Sequence, residues 1–132
     1  MTKLENIDLQ PIILKIYEAE PYSLARIEKI AQEYLRFIFL AQKVRFKPVP
    51  SQEVDMFWHY HILNTRLYRD FCDTHFGKFI DHMPLLKQVA KTMGTDNTFL
   101  KTQAAFKKHY GQYMMNLKPN LVERLYHLVR IL

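Results

Sequence analysis

The fifteen residues from Val54 to Tyr68, VDMFWHYHILNTRLY, put one Asp, one Trp, two His and two Tyr onto what reads as a single helix. Imidazole and carboxylate are ligand types that divalent transition metals take, and spacing decides whether they can act together. At about 100° per residue, Asp55 and His59 fall within about 40° of each other, one turn apart, so both can address one point. His61 lies about 200° from His59, so the two imidazoles cannot chelate one ion from a straight helix. A third ligand has to come from elsewhere, and His82, beyond the turn expected near Gly77, is the candidate. Asp55, His59 and His82 are thus the expected metal ligands, and zinc or iron suits such N and O donors better than calcium or magnesium. His61 falls about 20° from Tyr68 and near Cys72 on the other face, where these three would orient the ligands or stand in as alternates, while Trp58 lines the pocket and, as a large ring at helical spacing, is expected in the core. The competing reading has no metal: Asp55 caps its helix or accepts a hydrogen bond from His59, and the imidazoles serve an aromatic core.

Other chemistries find little support. The lone Cys72 rules out an intrachain disulfide and a multi-cysteine zinc site, and it suits a small buried hydrophobe better than a nucleophile. There is no Ser/His/Asp ordering, no glycine-rich phosphate loop and no HExxH pattern. The residues therefore suggest binding of a metal without naming a reaction, and whether the protein is an enzyme stays open. No basic segment followed by an apolar run marks a signal peptide, and no apolar run nears the roughly 20 residues that span a bilayer. A cytoplasmic protein is expected.

Charge is distributed unevenly. Residues 1–96 carry thirteen basic and twelve acidic side chains, whereas residues 97–132 carry six basic ones against Glu123 alone. Lys107, Lys108, Arg124 and Arg130 form a basic surface for an acidic protein or small-molecule partner. Without aromatic-interleaved reading motifs, nucleic acid is not expected. This surface carries the alternative function, a non-catalytic protein-interaction module. Leu121, Leu125, Leu128, Val129 and Leu132 form a stripe along the last helix that faces the core or, failing that, a partner groove or homodimer seam.

The elements that must position these residues follow from periodicity and caps. Leu9, Ile12, Ile13 and Ile16 predict a first helix over 9–19, and Ser23 caps a second running to about Val44. Pro48 and Pro50 end it, and Ser51 caps a third helix that carries the motif to about Thr74, with Gly77 as its stop. Pro84 starts a fourth helix closing at Gly94, a fifth runs from about Phe99 to Met115, and Asn120 opens the last. The chain reads as all-α, one domain over 1–132 with five or six helices.

VDMFWHYHILNTRLYRDFC followed by FGKFIDHMP also resembles the signature of the glycine-rich-domain-containing-protein-like family. Asp55, Trp58, His59, His61, Tyr68, Cys72, Gly77, His82 and Pro84 stand at matching places, and the resemblance covers roughly residues 48–84. Two departures stand out: Asp81 precedes His82 where members often carry a second His, with Met83 in the place of Phe, and Leu85-Leu86 follow the Pro where many members continue with Tyr and Gly. The resemblance implies that the Asp and His positions act together, which favours the metal reading, and it supplies no reaction.

Overall fold

Hydroxyl and amide caps divide the chain. The computed structural model describes residues 4–82 and 98–114. After a 3₁₀ turn at Leu4–Asn6, α1 spans Gln10–Ala19; Pro11 sits in its first turn, and Asp8 Oδ1 accepts the Gln10 N–H at 2.9 Å. Ser23 accepts from Arg26 N and opens α2, Leu24–Ala41. Ser51 does the same for Val54 N at 3.1 Å and opens α3, Gln52–Leu63. Helix α4 spans Thr65–Phe76, and α5 spans Thr98–Tyr110. The described residues are thus five α-helices and a 3₁₀ turn with no strand, the all-α class read from the sequence. None of these helices is long and apolar enough to cross a membrane.

The third helix departs from expectation. A single helix from Ser51 to about Thr74 is replaced by α3 and α4, which meet at Asn64 with φ −88° and ψ 77°. The physical reason is local: Asn64 leaves the helical region and turns its side-chain oxygen to the Leu67 N–H, opening a new helix where the old one ends. Gly77 does stop the second piece, with φ 67° and its N–H on the Cys72 and Asp73 carbonyls. The expected helices over 84–94 and 120–132 lie outside the described residues, as do Arg124 and Arg130.

Helix α2 is the central element, packing against α1, α3 and α5, and α3 also meets α1 and α4. Its buried face, with Ile27, Ile30, Tyr34, Phe37, Ile38 and Leu40, closes on Val54, Phe57 and Trp58 of α3. Arg26 and Glu53 join the starts of the two helices by a two-point ion pair, Nε to Oε2 at 3.0 Å and the second nitrogen to Oε1. The carboxylate raises the Arg26 pKa further. On the other side, Tyr110 donates its hydroxyl to the Arg36 carbonyl at 2.8 Å, tying α5 to α2.

The Ser51 cap is 1% exposed, so water cannot replace it. Ser51→Ala is expected to lower unfolding stability by about 1–2 kcal/mol, the upper range for a lost cap. Urea denaturation followed by circular dichroism would measure it, and a loss below about 0.3 kcal/mol would contradict this role.

Candidate metal-binding pair beside the motif helix

Helix α3 holds Asp55 and Trp58 on one side, and the segment after Gly77 returns across them to bring in His82. Two bonds through Tyr68 fix that return. Trp58 donates its indole N–H to the Tyr68 hydroxyl at 2.9 Å, and Tyr68 donates in turn to the Ile80 carbonyl. His82 then stacks on the Trp58 indole, with ring centroids 4.2 Å apart and planes 22° from parallel. Its Nε2 comes to 3.1 Å from Asp55 Oδ1, with side chains 3% and 17% exposed.

Distance alone would allow a hydrogen bond, but the imidazole is not oriented for one: Nε2 of His82 is buried and has no hydrogen-bond partner. Two ligands of one tetrahedral zinc, each at roughly 2.0–2.1 Å from the ion, lie about 3.3 Å apart, side by side rather than head-on. The 3.1 Å separation of the pair is close to that spacing.

The third expected ligand is placed differently. His59 is exposed, its ring packed edge-on to Tyr60 at 6.1 Å. Among the described residues no three His, Cys, Asp or Glu side chains converge as a group able to hold a metal ion. Asp55 and His82 therefore form a pair, with His59 on the solvent-facing side of the same helix.

The residues expected on the second face do come together, although the helix that was to align them is broken. His61 is fully buried, with its ring edge-on to Tyr68 at 4.9 Å and tilted against Phe71 at 5.0 Å. Tyr34 of α2 lies with its hydroxyl 2.6 Å from His61 Nδ1. Burial lowers the His61 pKa to about 4, so the ring is neutral near pH 7. Burial likewise drives the Tyr34 and Tyr68 hydroxyls above the ordinary phenol value. With both groups neutral, the tyrosine O–H donates to Nδ1 and the remaining ring proton sits on Nε2, which has no hydrogen-bond partner. Cys72 is fully buried beside Tyr68, as a packing residue would be. The signal for the Tyr34–His61 pair was absent from the motif itself, because the partner lies 27 residues upstream on another helix.

On the basic surface, Lys107 and Lys108 are both exposed. Lys107 donates to the Gly111 carbonyl at 2.9 Å and lies over the Tyr113 ring, closing the end of α5. That contact gives the lysine a structural role of its own.

Comparison with known proteins bears on the family. No curated protein and no solved structure matches the chain. The profile of the UCP032817-like family matches residues 5–131, far beyond the motif over 48–84 on which the resemblance to the glycine-rich-domain-containing-protein-like family rested, and that assignment is overturned. The chain belongs to the UCP032817-like family.

Proposed function

We propose that this protein binds a divalent transition metal, zinc or iron(II), through Asp55 and His82. The observation that carries the reading is the buried Nε2 of His82, which lies beside Asp55 Oδ1 without a hydrogen bond. A buried imidazole nitrogen left unsatisfied costs about 1–3 kcal/mol, and a metal ion would offset that loss. Two protein ligands leave coordination positions for water and for His59, whose exposed ring is one helical turn from Asp55. When bound, such an ion could polarise a coordinated water. This chain's own contribution is to hold the imidazole on the Trp58 face and the carboxylate beside it.

Trp58 is the only tryptophan and touches His82, so its fluorescence reports directly on the pair. Zinc or iron(II) titrated into the untagged protein is expected to change that emission saturably at near-stoichiometric metal. Asp55→Ala and His82→Ala should each weaken binding by at least about tenfold, about 1.4 kcal/mol. His59→Ala should weaken it less. Equal affinity in the Asp55 and His82 variants would overturn the reading.

A further inference from the structure

The break at Asn64 has a second result on the opposite side of the motif helix. Where α3 stops and α4 begins, the chain and helix α1 enclose a cavity of about 440 Å³. Pro11, Ile12 and Leu63 form its apolar part beside Tyr60, Asn64 and Thr65, and two cations reach it from different elements, Lys15 of α1 and Arg66 of α4. Among the described residues neither cation has a carboxylate partner, and both are exposed. Tyr60, which also lines the cavity, donates its hydroxyl to Glu20 at 2.8 Å. Leu63 is 62% exposed at the rim.

Charge and shape together select a ligand. Two cations without a carboxylate partner among the described residues match a dianion better than a monoanion. The first turn of α4 carries no acidic side chain, and Asn64 takes only the Leu67 N–H, so the Thr65 and Arg66 amides add donors on the same side. The apolar wall suits a compact hydrocarbon or aromatic body, and the volume lies within the roughly 300–1,000 Å³ range of small-molecule sites. We infer that this cavity binds an organic phosphate monoester, its phosphate between Lys15 and Arg66 and its apolar body against Ile12 and Leu63. The site involves none of the residues of the metal pair and does not depend on it.

The test is a titration of the full chain followed by amide chemical shifts, using phenyl phosphate, inorganic phosphate and benzoate as probes. Phenyl phosphate is expected to give saturable shifts centred on Lys15, Thr65 and Arg66, binding several-fold more tightly than either other probe. The double variant Lys15→Gln/Arg66→Gln, whose changes lie at exposed positions, should keep its circular dichroism spectrum and lose affinity by roughly tenfold or more. Unchanged affinity in that variant, or no saturable shift with phenyl phosphate, would overturn the proposal. Inorganic phosphate or benzoate binding as tightly as phenyl phosphate would overturn the ligand class.

Discussion

Replacing Trp58 by alanine is expected to destabilise the fold by about 3–5 kcal/mol. The side chain is 7% exposed and packs edge-on to Phe37 at 5.9 Å, tilted to Tyr34 at 6.3 Å and stacked under His82. Truncation removes all three contacts and also the N–H that holds the Tyr68 hydroxyl. Trp58→Phe separates the two effects. It keeps most of the ring but deletes the donor, and its cost should be nearer 1–2 kcal/mol. Chemical denaturation followed by circular dichroism measures both, because the variants carry no tryptophan. A loss below about 1 kcal/mol for Trp58→Ala would mean that the indole is not the keystone of this helix pair.

Trp58 also shows what the sequence could and could not convey. Its place in the core follows from ring size and helical spacing, and the caps at Ser23 and Ser51 are each marked by one residue of the right type ahead of an apolar period. Bringing His82 to Asp55 was also legible, because the chain turns at Gly77 and the ligand types match. The break at Asn64 was not. HILNTRLY keeps its helical period across the junction, so the hydrophobic pattern is blind to it, and only the Asn side chain records the change. The consequence reaches the site: the alignment of His61 with Tyr68 was derived from one straight helix, yet their contact arises from two helices, α3 and α4, folded against each other. The family resemblance failed for a related reason. A dense local motif describes a short segment well, whereas family membership is carried by the chain from residue 5 to residue 131.

The stability of this protein is expected to fall by about 3 kcal/mol through His61 alone as pH drops from 7 to 4. In the folded state burial holds the His61 pKa near 4, against an ordinary value of 6.5. Between those values the unfolded chain takes up a proton that the folded chain refuses, so acid favours unfolding. The contribution is fully present above pH 6.5 and is lost progressively down to about pH 4, at about 1.4 kcal/mol per pH unit. Tyr34 sharpens the test. Its hydroxyl faces Nδ1 at 2.6 Å, so His61→Phe alone would leave a buried O–H unpaired and confuse loss of a partner with loss of titration. The double variant Tyr34→Phe/His61→Phe removes donor and acceptor together and keeps an aromatic ring at both places. Such a paired replacement can be nearly neutral, so its stability at pH 7 should lie within about 1 kcal/mol of the parent. Between pH 7 and pH 4 it should lose less stability than the parent by about 3 kcal/mol, since only the His61 step has been removed and the carboxylates titrate in both. Parallel curves for the two proteins would show that His61 is free to protonate in the folded state and that the buried pair does not hold it neutral.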